Sequence, residues 1–320
     1  MDSEAELGSK QRAAELIGAL SRLHGIATLL LTAPADDALW SERVRALAQK
    51  LGELQLGEPD AVLYLLYYAA VRKVERYSSH HALVCAATAA ACAQQLGWDE
   101  ADIRSLACAA LTMNVSITAL QDELVYRERT LTLDQRLAIE RHPAQSVELL
   151  TTLGVTDSLW LQAVELHHVD PPVESKLEDM APGQRLGALL RRVDVLTAKL
   201  SPRNARKGMA PTLALRDAYL GGRGTADAIG LAIIRALGAY PPGSLVTLTN
   251  GEIAIVLRRG ERANGPVVAS LLGPDKAVLV PPALRDSTDS LLQVKGPARI
   301  EDARLPIDHV RLLALAATAV

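Results

Sequence analysis

Phenylalanine is missing altogether, and aromatic residues make up only 3% of the chain. Basic charge is mostly arginine, and both features read as biased coding without functional content. Cysteine is scarce: Cys85, Cys92 and Cys108 are an odd number with no Cys-x-x-Cys pair. That excludes a disulfide framework and points to reduced, buried thiols in a cytoplasmic protein. No stretch reaches the ~18 consecutive apolar residues that a spanning helix needs, so no membrane partner is expected. The longest candidate, Ala82 to Ala93, is short and interrupted by Thr88. No excess of one charge is present either. A net charge of -3 offers no electrostatic reason to expect nucleic-acid binding. The acidic start, Met1-Asp2-Ser3-Glu4, lacks the basic-then-apolar form of a signal peptide.

What is present is an ordinary globular composition, 49% hydrophobic and 22% charged, over 320 residues. That length allows one large core or two to three smaller units. From Gln11 to about Ala239 apolar residues recur mostly at helical spacing. Helices are expected from about Gln11 to Leu31, Asp37 to Leu51, from Asp60 onward, and from Ser79 to Leu96. Asp99 caps the next one, and Thr132-Leu133-Asp134-Gln135 is a capping-box pattern. The residue before a proline is pushed out of the α region, which predicts a bend between two helices at His142-Pro143. A helix capped by Thr156 or Asp157 ends at His167-His168, and others cover Pro182 to Leu200 and Thr225 to Leu237. Cys85 and Cys92, seven apart on one helix face, read as packing residues.

After Tyr240 the pattern turns to β. Leu245 to Thr249 and Glu252 to Leu257 flank Asn250-Gly251, a strong hairpin signal. Short strands are also expected at Val267 to Leu271, at Ala277 to Val280, and within Leu291 to Ile300. The predicted fold is mainly α: an N-terminal helical segment (1–70), a helical domain (71–240) and a small β-containing tail (241–320).

Five short segments carry the chemistry. They are Tyr77-Ser-Ser-His-His81, Ala109-Ala-Leu-Thr-Met-Asn-Val115, Arg141-His-Pro143, Glu165-Leu-His-His168 and Val193-Asp-Val195. Their order and approximate spacing resemble the HD-GYP family, bacterial HD-superfamily phosphodiesterases acting on cyclic di-GMP. The hairpin region Tyr240 to Glu252 is similar to the one closing those domains, and the resemblance covers roughly Glu75 to Leu272. It implies metal ligands at His81 (with His80 as the alternative register), His142, His167, His168 and Asp194. It also implies phosphate contacts at or near Arg203 and Arg206.

The chain departs from that pattern at four places. Met113-Asn114 stands where the name-giving His-Asp pair belongs, and Ile117 stands where a lysine would meet phosphate. The Gly-Tyr-Pro segment is missing after His168, and the acidic ligand before the first histidine is Tyr77 or Arg76. Neutral Asn114 and the thioether of Met113 are poor ligands for the ions that imidazole and carboxylate hold. Two-metal hydrolysis needs both ions to activate water and stabilise the leaving oxygen. Loss of phosphodiesterase activity is therefore expected, with binding of a protein partner or of cyclic di-GMP as the function. The surviving ligands either hold a single iron, manganese or zinc ion, or are relics hydrogen-bonded in a polar pocket. A mononuclear phosphohydrolase and a purely structural helical scaffold are the alternative functions.

Overall fold

Helix caps and turns written in the sequence set most of the element boundaries. The computed structural model describes residues 4–34, 39–71, 75–127, 130–171, 176–202, 208–221, 224–298 and 306–318. The first four helices are α1 (Glu4–Thr32), α2 (Trp40–Gly57), α3 (Pro59–Ala70) and α4 (Tyr77–Gln95). They are followed by α5 (Glu100–Thr112), a 3-10 turn (Val115–Ile117), α6 (Thr118–Leu124), α7 (Leu133–Thr152) and α8 (Ser158–Leu166). The helical part continues through α9 (Pro182–Leu200), α10 (Pro211–Leu220) and α11 (Ala228–Leu237). Asp99 accepts the Asp102 N–H at 2.8 Å to start α5. Thr132 and Gln135 close a reciprocal capping box on α7. Asp157 accepts the Leu159 and Trp160 N–H groups at 3.1 Å to start α8.

Helix α4 is the central element. Nearly its whole length is buried, and it touches α1, α3, α5, α9 and α11. Its alanine-rich sequence permits that crowding, because small side chains let neighbours approach on every side. Helices α8 and α9 are equally close. Gly183 and Gly187 on α9 receive Gln162 and Leu166 of α8, and a Cβ at Gly187 would lie 2.7 Å from that of Leu166. Two segments, Glu4–Thr32 and Glu100–Leu124, are long and apolar enough by length and composition to cross a membrane. Both direct apolar residues into the common core, the first through Leu16, Leu20 and Leu23, the second through Leu106, Ala109 and Met113.

The tail forms a five-stranded antiparallel sheet in the order β4-β3-β2-β1-β5. Its strands are β1 (Leu245–Leu248), β2 (Ile253–Arg258), β3 (Val267–Leu272), β4 (Val278–Asp286) and β5 (Val294–Pro297). The Asn250-Gly251 turn joins β1 to β2 in the register Leu245↔Ile255, with Gly251 at φ 89°. One face of the sheet packs Ile253, Ile255 and Leu257 against Tyr64 and Leu312.

Three features differ from the sequence reading. Helices α6 and α10 are additional, and the tail closes with a helix, α12 (His309–Thr318), capped by Asp308 and packed along α1. Tyr64 ties α12 down through a 2.9 Å hydrogen bond between its hydroxyl and His309 Nδ1. The third difference concerns His142-Pro143, which form no bend: α7 runs unbroken through Pro143. A proline inside a helix removes one N–H, here the donor that would reach Ile139. His142 Nδ1 takes up the Ile139 carbonyl instead, at 2.6 Å.

Candidate metal centre

Two histidines from separate helices face each other across 3.0 Å. His142 lies within α7 and His167 caps the C-terminus of α8; both are buried, and their Nε2 atoms are the facing pair. His142 Nδ1 donates to the Ile139 carbonyl and His167 Nδ1 to the Val164 carbonyl, each at 2.6 Å. Carbonyls near a helix end or beside a proline are short of helical donors, so both rings are held by otherwise underused acceptors. Burial is the main cause that pushes His142 down to about 4 and His167 down to about 3. Both rings are therefore neutral at pH 7, with the proton on Nδ1 and a lone pair on Nε2.

Two lone pairs at that distance repel unless a positive centre lies between or beside them. Nitrogens about 2.1 Å from one ion and at right angles to it lie about 3 Å apart, which is the separation found. The exposed His168 completes the group, with its ring centroid 4.6 Å from that of His142 and 4.5 Å from that of His167. Three imidazoles, two of them held by backbone carbonyls through Nδ1, fit a borderline dication.

Asp194 and His81 form the adjoining part. His81 Nε2 donates to Asp194 Oδ1 at 2.8 Å, linking α4 to α9. Burial opposes the Asp194 charge, but the hydrogen bond and charge of His81 outweigh it, taking the carboxyl down to about 2. Burial also opposes charge on His81, yet Cys85, Tyr77 and the Asp194 hydrogen bond hold its pKa well above the usual histidine value. His80 turns away and bonds the Leu66 carbonyl at 3.1 Å, so His81 is the histidine directed at Asp194.

Met113 is buried in the main core. Asn114 follows it in the turn that docks on α7, where Ser116 Oγ donates to the His142 carbonyl at 3.2 Å. Among the described residues, the Asn114 side chain makes no hydrogen bond to a site histidine. It lines a small space with Ser78, Ala82 and Gln121. Ile117 is buried, so no cation replaces the expected lysine there. Arg203 and Arg206 lie outside the described residues. The sequence reading missed Cys85, whose Sγ sits 3.5 Å from His81 Nε2. Its spacing of four from His81 on one helix was the available signal.

A separate groove of about 1440 Å³ runs along α9 beside Trp98. Among the described residues its cations are already matched: Arg185 with Asp102, Arg191 with Asp170, Arg192 with Asp227, Lys199 with Asp217 and Lys176 with Glu178. Those pairings leave the histidine cluster as the more specific site.

Residues 64–218 match the HD domain family, a span that takes in His81, His142, the His167-His168 pair and Asp194. The fold is of the HD type. The chain is also 24% identical over 243 residues to a cyclic di-GMP phosphodiesterase of Pseudomonas aeruginosa. That match covers 74% of this chain, which spans only 57% of the relative's length. A solved structure of an HDG"Y"P protein from Bdellovibrio bacteriovorus has the same fold, with a TM-score of 0.50 at 16% identity. It covers 70% of this chain and 71% of that one. An HD-type fold thus supplies the helical frame that carries His142, His167 and Asp194.

Proposed function

We propose that this HD domain holds a metal ion on His142, His167 and His168 and binds a cyclic dinucleotide of the cyclic di-GMP class without hydrolysing it. The observation that carries the reading is the facing pair of Nε2 lone pairs, 3.0 Å apart and each fixed by its own carbonyl. An ion held by imidazoles keeps open positions, and a phosphate oxygen is a ligand suited to them. Asn114 supports the loss of turnover, since a neutral amide replaces the carboxylate that would hold two ions together. The ligand class follows from the homology to the Pseudomonas aeruginosa enzyme.

Calorimetry with cyclic di-GMP on zinc-loaded and chelator-treated protein tests both parts. Binding that requires the metal, with no linear product under added iron or manganese, is the expected result. Turnover would convert the reading into a mononuclear phosphohydrolase. Absence of heat under every metal condition would sink nucleotide binding and direct the search to a protein partner.

A further inference from the structure

His81 and Cys85 stand one turn apart on the same face of α4, and Asp194 meets them from α9. The ligand atoms of all three lie within 4.8 Å of one another. His81 Nε2 is 2.8 Å from Asp194 Oδ1 and 3.5 Å from Cys85 Sγ. A nitrogen about 2.0 Å and a sulfur about 2.3 Å from one tetrahedral ion are separated by about 3.5 Å. The observed His–Cys spacing is that edge.

The surroundings suit a ligand role for each atom. His81 Nδ1 faces the Tyr77 hydroxyl at 3.3 Å and Thr197 Oγ1 at 3.4 Å. Thr197 donates its own proton to the Val193 carbonyl at 3.0 Å, so its oxygen is an acceptor. A proton on Nδ1 is thereby supported, which leaves Nε2 able to bind an ion. The same Thr197 oxygen lies 3.0 Å from Cys85 Sγ, where it accepts the thiol proton while no ion is bound.

We infer that Cys85 is a thiolate ligand of a second cation, zinc or a similar borderline dication, completing a site whose other ligands, His81 and Asp194, the family resemblance already implies. On binding, the ion displaces two protons to solvent, the one between His81 and Asp194 and the thiol proton of Cys85. Thiolate and carboxylate then balance the two charges of the ion. The inference deepens the reading above, since the ion would adjoin the three-histidine site, but it rests on different ligands.

Cobalt(II) titration of the full chain, stripped with chelator beforehand, is the test. Thiolate–cobalt coordination gives an intense near-ultraviolet charge-transfer band. The band is expected in the wild type, in Cys92→Ser and in His167→Ala, and is expected to vanish in Cys85→Ser. Cobalt bound without the band, through a site that His167→Ala removes, would overturn this inference and leave the three-histidine reading standing. No bound cobalt at all would overturn both. A band that persists in Cys85→Ser, or disappears in His167→Ala, would also overturn it. If Cys85→Ser fails to fold, X-ray absorption of zinc-loaded wild type decides: a sulfur neighbour at about 2.3 Å supports the site, and a shell of nitrogen and oxygen alone refutes it.

Discussion

His142 Nδ1 donates to the Ile139 carbonyl at 2.6 Å inside an unbroken helix. The carbonyl is available because Pro143 has no N–H to offer it. Proline in a helix interior costs about 3 kcal/mol, so its presence beside a buried histidine has a structural consequence. It fixes which nitrogen of His142 carries the proton and aims the other at His167. Pro143→Ala restores a competing N–H. The thermal midpoint should stay level or rise, while zinc affinity falls about tenfold, in the range seen when a ligand's supporting partner is lost. Calorimetry beside a melting curve would check this. Unchanged affinity would show that Pro143 has no positioning role.

The approach of α8 to α9 sets where His167 sits. Gly187 receives Leu166 so closely that an added methyl group would lie 2.7 Å from the Leu166 Cβ. Gly187→Ala should destabilise the chain by about 1–3 kcal/mol, the usual cost of overpacking. It should also weaken metal binding, because Leu166 immediately precedes His167. Urea unfolding and zinc titration of the variant measure the two effects.

Metal binding to the native state alone adds stability by mass action, about 2.7 kcal/mol at a hundredfold excess over Kd. Zinc should therefore raise the melting temperature of chelator-treated protein. His167→Ala should shrink that rise, and in the absence of metal it should itself lower the melting temperature, because a buried side chain and its hydrogen bond to the Val164 carbonyl are lost. A full zinc shift in His167→Ala would count against His167 as a ligand.

Glu252 in the sheet predicts a pH dependence remote from the histidines. Its carboxylate accepts Arg285 Nη2 at 2.9 Å, Arg285 Nε at 3.0 Å and Ser270 Oγ at 2.5 Å. The Arg285 hydrogen bond, against opposing burial, holds its pKa below the usual value. A depressed carboxyl pKa stabilises the fold above the unfolded value, about 4.3, and that contribution is lost as pH falls through the folded one. Glu252→Gln should cost about 1.5–3 kcal/mol at pH 7. The gap from wild type should narrow progressively below about pH 4. Denaturant curves at pH 7 and at pH 3.5 would reveal a constant gap if the ion pair contributes nothing.

Much of this architecture was legible in the linear chain because the relevant physics is local. Capping at Asp99, Thr132 and Asp157, the helical repeat of apolar residues and the Asn250-Gly251 turn act within a few residues. Histidine positions could be matched to the HD pattern for the same reason: they recur as short segments in a set order. Helix α12 was not legible, since its apolar side acquires meaning only against α1 and Tyr64. Nor was the straight course of α7, where a side chain takes the carbonyl that proline leaves free. The sequence by itself determined most of the helices, the hairpin and the residue types available for a metal. Tertiary packing decided that His142 meets His167 at 3.0 Å, and that Asp194 meets His81 and Cys85 across 2.8 and 4.8 Å or less. Backbone propensity reaches about one helical turn, whereas ligand convergence depends on how close whole helices can pack.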